Sequence, residues 1–153
     1  MGELEVGRAP DVLTTFGLGS CLGLAIYDRQ ARVGGLAHIM LPDSRIAKVP
    51  ARSPGKFADT AIPELLRRLS KAGADAARCK ARLVGAASMF AAAFDPMRLV
   101  GPRNVEAAKA LLASSGIGIE ASEVGGTVGR TVTLFTESGQ LVVRTVAEGS
   151  REI

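Results

Sequence analysis

Two extended runs separated by a short polar stretch constrain the fold of this chain more than any other feature. Between residues 22 and 27, large apolar side chains alternate with small or aromatic ones, which is the period of a β-strand. Residues 28–32 are polar, and residues 33–41 form a second extended run. This pattern predicts a β-hairpin, which fixes the relative positions of the residues on its two strands.

The remaining segments predict a mixed α/β (α+β) fold in a single domain of residues 1–153. Strands, a helix, a strand, a helix and further strands follow one another without a linker or a repeat, which does not match a doubly wound parallel sheet. Pro63 favours a regular start of the first helix near Thr60, and Asn104 is the expected N-cap of the second. The expected strands are 12–16, 81–90, 117–124, 128–135 and 140–146, the helices are 57–72 and 104–115, and a proline-containing loop (42–56) and a frayed polar tail complete the chain.

Composition excludes several classes of function. The 19 Lys and Arg residues exceed the 15 Asp and Glu by a net charge of only +4, and they form no basic stripe interleaved with aromatic residues. A nucleic-acid surface is therefore not expected. No apolar run has membrane-spanning length, and the first residues lack the apolar centre of a signal peptide. We expect a cytoplasmic protein without direct membrane insertion, in which Cys21 and Cys79 are reduced thiols.

The predicted hairpin places the only histidine near the first cysteine. If residues 28–31 form the turn, Tyr27 lies opposite Arg32, and continuing this register places Cys21 opposite His38. Residues opposed in this way point to the same face of a sheet, with Cβ atoms roughly 5 Å apart. A register shift of one or two residues would still leave the two side chains close.

A thiol beside an imidazole is a nucleophile beside its base. The imidazole of His38 can take the proton of Cys21, and the thiolate can attack an electron-poor carbon. Gly17 and Gly19 allow a sharp turn before the thiol, and the backbone N–H groups around Gly19 and Ser20 could hold an oxyanion.

A third group should orient the imidazole, and the sequence leaves its identity open. The nearby hydroxyls belong to Thr14, Thr15 and Ser20, and the carboxylates of Asp43 and Asp59 are more distant alternatives.

Alternative interpretations of these residues are structural. A cysteine before a strand is commonly a small buried hydrophobic residue, and a lone histidine commonly packs in a core. Cys79 has no matching histidine. The glycines of residues 17–23 lack the spacing and the following helix of a dinucleotide site, and one histidine with two separated cysteines does not suggest zinc. No metal and no cofactor is therefore expected.

Several motifs together resemble the chemoreceptor glutamine deamidase family CheD. They are TTFGLGSC, GGLAHIMLPDS, GKFADTAIPELL, GAASMF, GPRNVEAAKALL and EVGGTVGRTV, and the resemblance covers residues 12–144. The resemblance implies packed β-sheets with helices on the outside, as in cysteine-hydrolase toxins that deamidate glutamine.

The resemblance also implies a function. Family members hydrolyse glutamine side chains on the cytoplasmic helices of chemoreceptors to glutamate, with release of ammonia, and bind and stimulate the phosphatase CheC. The family's catalytic cysteine, histidine and threonine correspond to Cys21, His38 and Thr15 here. Two alternatives stay open: a protein that mainly regulates CheC or receptors by binding, and a cysteine amidase for free small molecules.

Two further features have both functional and structural interpretations. Residues 45–56 directly follow the histidine strand and are either a rim of the site or a plain connection. Phe90 and Phe94 are either partner contacts or core residues.

Overall fold

A computed structural model describes residues 1–47, 53–88 and 99–153 of the protein. Over these residues the chain forms nine strands and two α-helices. Phe90, Phe94 and the middle of the 45–56 segment lie outside the described residues. The strands are β1 (Leu4–Arg8), β2 (Val12–Leu18), β3 (Leu22–Asp28), β4 (Val33–Ile39), β5 (Lys80–Gly85), β6 (Gly118–Val124), β7 (Arg130–Phe135), β8 (Gln140–Thr145) and β9 (Gly149–Glu152), and the helices are α1 (Ala58–Lys71) and α2 (Val100–Ser114).

The strands form two sheets, and one of them lies in the middle of the molecule. The first sheet has the order β1-β4-β3-β5-β6 and is antiparallel except for the β5–β6 pair. Every residue of β3 and β4 is buried, because α1 and α2 pack on one face of this sheet and the second sheet packs on the other. The second sheet has the order β2-β7-β8-β9. The predicted α+β fold with packed sheets and outer helices is confirmed.

The alternation along β3 and β4 assigns their side chains to two separate cores. Leu22, Leu24 and Ile26 pack toward the helices, together with the apolar face of α1. Ala25 and Leu36 face the second sheet and pack against its buried side chains, which are Leu18, Val132, Leu134, Leu141 and Val143. The side chains of β3 and β4 that face the second sheet therefore lie in the interior between the two sheets.

The hairpin is present, but its predicted register was wrong by two residues. Gly23, not Cys21, lies opposite His38, and Asp28 is itself paired with Val33. The turn therefore consists of residues 29–32. Its geometry has two local causes: the Asp28 carboxylate accepts hydrogen bonds from the backbone N–H groups of Gln30 and Ala31, and Arg32 adopts a left-handed conformation with φ of 54°.

Several predicted boundaries differ from the structure. Helix α2 begins at Val100, so Asn104 lies inside the helix and is not its N-cap. Helix α1 begins at Ala58 and contains Pro63. The tail that was expected to fray forms β9 on the edge of the second sheet, and Arg151 in it bonds the Glu123 carboxylate. Strand β5 ends at Gly85. Strand β1 was not predicted.

Candidate active site

Thr15 and His38 meet between the two sheets. The Oγ1 atom of Thr15 lies 2.9 Å from Nδ1 of His38 and is hydrogen-bonded to it. Thr15 is on β2 and His38 on β4, so this bond crosses from one sheet to the other. Side chains alternate along β2, and Thr14 therefore points outward, where its hydroxyl bonds that of Thr133 on β7. The structure thus brings Thr15 to the imidazole and takes Thr14 away from it.

His38 is buried and retains one free ring nitrogen. Its side chain has only 4% of its surface exposed, and among the described residues its Nε2 atom has no hydrogen-bond partner. Burial lowers the pKa of His38, the N-terminal ammonium lowers it further, and the carboxylate of Glu3 partly opposes them. The imidazole is consequently neutral near pH 7, the state in which it can accept a proton.

Cys21 lies on a half-buried turn directly before β3. It packs against the same core between the sheets that His38 faces, and it is two residues from Gly23, the residue opposite His38. Such diagonal neighbours on one face lie roughly 7–8 Å apart. Within the described residues, no hydrogen bond joins the Cys21 thiol to His38, whose Nδ1 bonds Thr15 and whose Nε2 has no partner. Burial raises the pKa of the Cys21 thiol. The resting site therefore holds a neutral thiol and a neutral imidazole.

The turn before Cys21 is fixed by backbone hydrogen bonds. Gly17 has a left-handed φ of +69°, and the N–H of Gly19 donates to the Gly17 carbonyl. The carbonyls of Gly19 and Cys21 accept bonds of 2.7 Å from the N–H groups of Ala87 and Ala86. The Gly19 N–H is therefore occupied. Within the described parts of the chain, the N–H groups of Ser20 and Cys21 have no partner.

The other candidate residues are engaged elsewhere. The Asp59 carboxylate accepts hydrogen bonds from the backbone and the hydroxyl of Ser44, and Asp43 pairs with Arg45. Cys79 is buried, and its pKa is raised to about 11, mainly by burial, which makes it a poor nucleophile.

An open cavity of about 200 Å³ adjoins the Thr15–His38 pair. Glu3 and residues of β1, β2 and β4 line it, including Leu13 and Leu36. Cys21 is not among the lining residues. In the described parts of the chain, no group of three or more His, Cys, Asp or Glu side chains could hold a metal ion.

Sequence reasoning missed one residue beside this site. Asn104 is fully buried, and its Nδ2 atom bonds the carbonyls of Ser20 and Met40. The sequence offered only its capping preference, because the contact depends on how α2 packs on the first sheet.

A thiol on a glycine turn, an imidazole held by a hydroxyl and an adjoining cavity define a candidate cysteine-hydrolase site in an α+β fold. Comparison with known families identifies the group more closely. The family model CheD, described as CheD chemotactic sensory transduction, matches residues 40–145. The chain therefore belongs to the CheD family.

Curated relatives extend this similarity over nearly the whole chain, including residues that precede the matched range of the family model. A protein of Halalkalibacterium halodurans named chemoreceptor glutamine deamidase CheD is 44% identical, with 100% of this chain and 95% of the relative covered. Proteins named probable chemoreceptor glutamine deamidase CheD are 43% identical in Symbiobacterium thermophilum (100% and 94% covered) and 44% identical in Methanococcus vannielii (94% and 91% covered).

Proposed function

We propose that this protein is a protein-glutamine glutaminase that converts glutamine side chains on the cytoplasmic helices of chemoreceptors to glutamate. The names of its full-length relatives support the reaction and the substrate. The structural observation that carries the proposal is the Thr15–His38 hydrogen bond, which occupies Nδ1. The buried Nε2, which has no partner among the described residues, is then the ring nitrogen that acts as the base. The protein would act in the cytoplasm, where these receptor helices lie.

In the proposed first step, His38 Nε2 takes the proton of the Cys21 thiol as the sulfur attacks the side-chain carbonyl carbon of glutamine. The electron pair of the C=O double bond moves to the oxygen. The backbone N–H groups of Ser20 and Cys21 are the available donors for this oxyanion, since the Gly19 N–H already bonds Gly17. Thr15 holds the ring in the orientation that this transfer needs.

In the second step, the oxyanion collapses and the C–N bond breaks. The charged imidazole of His38 gives its proton to the leaving nitrogen, which departs as ammonia. His38 then deprotonates a water molecule that attacks the thioester, and the proton returns to the sulfur of Cys21. The products are glutamate and the free thiol. The reaction as written conserves atoms and electrons without a metal or a redox partner.

Mass spectrometry of a receptor cytoplasmic fragment tests this function. We expect the wild-type protein to convert glutamine to glutamate and Cys21→Ala to abolish the conversion. Cys79→Ala is the matched control, because it removes the other thiol, which packs in the core between the first sheet and the helices, and it should retain the activity. Conversion by Cys21→Ala, or none by the wild type on several receptor fragments, would contradict the proposal.

We further propose that the protein binds and stimulates the phosphatase CheC, and family membership is what supports this. Binding by a surface does not need the nucleophile, so Cys21→Ala should bind CheC as the wild type does. Retained CheC stimulation together with absent deamidation of every receptor would favour a purely regulatory protein. Release of ammonia from free glutamine would instead favour a small-molecule amidase.

A further inference from the structure

Asn104 connects the thiol-bearing turn to the end of the histidine strand. Its Nδ2 atom lies 3.0 Å from the carbonyl oxygen of Met40, two residues after His38, and 3.4 Å from that of Ser20, directly before Cys21. Both partners are acceptors, so the NH₂ end of the amide must face them. The bond to Ser20 is the longer and weaker of the two.

The bond to Ser20 fixes the peptide unit that carries the Cys21 N–H. In a trans peptide the C=O and the following N–H point in opposite directions. Holding the Ser20 carbonyl on one side therefore aims the Cys21 N–H to the other. The flanking carbonyls of Gly19 and Cys21 are held by backbone N–H groups, and only the Ser20 carbonyl depends on a side chain.

The packing of α2 brings Asn104 to this place. Gly101 approaches Ala86 so closely that a Cβ atom there would lie 2.6 Å from the Ala86 carbonyl oxygen. Ala86 is the residue whose N–H holds the Cys21 carbonyl, and it has a positive φ of 54°. The helix and the strained end of β5 thus hold the same turn from two sides.

The other end of the amide is left without a partner. The Oδ1 atom of Asn104 is buried and accepts no hydrogen bond among the described residues. An unsatisfied buried acceptor is unfavourable for stability. The presence of this amide at a buried position is therefore better explained by a specific role of its NH₂ group than by a gain in stability.

We propose that Asn104 is a positioning residue for the oxyanion site, acting through the Ser20–Cys21 peptide. This inference rests on the proposed function. When the sulfur of Cys21 adds to the glutamine carbonyl, the C=O electron pair moves to the oxygen and the thiol proton moves to His38. The Cys21 N–H, held by Asn104, donates to that oxygen.

The kinetics of Asn104→Ala and Asn104→Asp on a receptor fragment test the inference. Asn104→Ala removes the donor and leaves a cavity, whereas Asn104→Asp keeps the shape but turns a carboxylate oxygen toward the two carbonyl oxygens. We expect kcat to fall on the order of 10- to 100-fold in both, with KM little changed. Thr136→Val is the matched control, since it also removes a buried side-chain hydrogen bond to a backbone carbonyl, that of Asp11, at the end of the β2–β7 pair away from Cys21. It should retain kcat.

Alkylation of Cys21 by iodoacetamide separates this role from a general loss of structure. Alkylation is a displacement that forms no oxyanion, so Asn104→Ala, which adds no charge near the thiol, should keep the wild-type alkylation rate while deamidation falls. Cys21 is followed by peptide mapping in a Cys79→Ala background.

Three outcomes would overturn the inference. An unchanged kcat in both Asn104 variants contradicts it while the proposed function stands. A parallel fall in alkylation and deamidation means that Asn104 only holds the turn together. If the wild type and Thr136→Val also fail to deamidate, the proposed function itself fails, and the inference falls with it.

Discussion

The hydroxyls of Thr14 and Thr15 have the same chemistry but opposite surroundings. The Thr14 hydroxyl points outward to Thr133, and the Thr15 hydroxyl points between the sheets to His38. We expect Thr15→Val, which keeps the shape and removes the hydroxyl, to lower kcat about tenfold, the value of one neutral hydrogen bond. Thr14→Val should leave it unchanged in the same receptor-fragment assay. Equal effects of the two substitutions would mean that the bond to His38 has no catalytic role.

The protonated state of the Cys21 thiol leads to a separate prediction about pH. Because burial raises the pKa of Cys21, the thiolate is scarce at neutral pH. The rate of alkylation by iodoacetamide should therefore keep rising with pH, with a midpoint above the ordinary cysteine value of about 8.5. The measurement uses Cys79→Ala to isolate the signal. A midpoint below about pH 7 would instead indicate a preformed thiolate–imidazolium pair.

The sequence indicated the site residues to different degrees. Spacing along a hairpin predicted Cys21 and His38 near one another because both are local to that hairpin, but the register that it gave was wrong by two residues. The choice of Thr15 over Thr14 came from the family resemblance. Asn104 could not be predicted as a site neighbour, because its partners Ser20 and Met40 are far away in the chain.

At the scale of elements, the β3–β4 hairpin is held by the buried carboxylate of Asp28. Besides the turn N–H groups, this carboxylate accepts hydrogen bonds from the backbone N–H of Asp75 and from the guanidinium of Arg78. Burial would raise the pKa of Asp28, but these hydrogen bonds outweigh it and lower the pKa to about 2. The sequence predicted a polar turn, but not that Asp28 would extend the strand and shift the register.

We expect Asp28→Ala to lower the free energy of unfolding by about 3 kcal/mol, because five hydrogen bonds lose their buried acceptor and two of these come from a charged guanidinium. Urea unfolding measures this loss. Glu137→Ala is the matched control: it removes an ion pair to Arg32 at the same end of the hairpin, where both side chains are largely exposed. That loss should stay below about 1 kcal/mol. Similar losses in both variants would contradict the proposed importance of the buried carboxylate.

At the scale of the whole molecule, the order of the strands depends on contacts that no local pattern encodes. The sequence predicted most elements and the α+β class, but β1 and β9 join sheet edges through pairings with β4 and β8. The parallel β5–β6 pair requires α2 to cross between its strands. The layer arrangement in turn places His38 in an interior between two sheets, which neither sheet would provide alone.

This burial couples the candidate base to the stability of the fold. The pKa of His38 is below its ordinary value of 6.5 in the folded protein, chiefly because a charged imidazole would lie between the sheets. In the unfolded chain the pKa of the imidazole is close to that ordinary value. As the pH falls below it, the unfolded state holds more protons than the folded state, and the free energy of unfolding decreases until the folded pKa is reached. Above the ordinary value this effect is absent.

The wild type should therefore lose more stability between about pH 8 and pH 5.5 than His38→Gln, which has no titrating group at this position. Urea unfolding of both proteins at the two pH values gives the four free energies. Their double difference cancels the carboxylates and other groups that titrate alike in both proteins. The N-terminal ammonium and Glu3 act on His38 in opposite directions, so burial decides the sign. Equal losses in the two proteins would show that His38 titrates alike folded and unfolded, and that the space between the sheets does not exclude its charge.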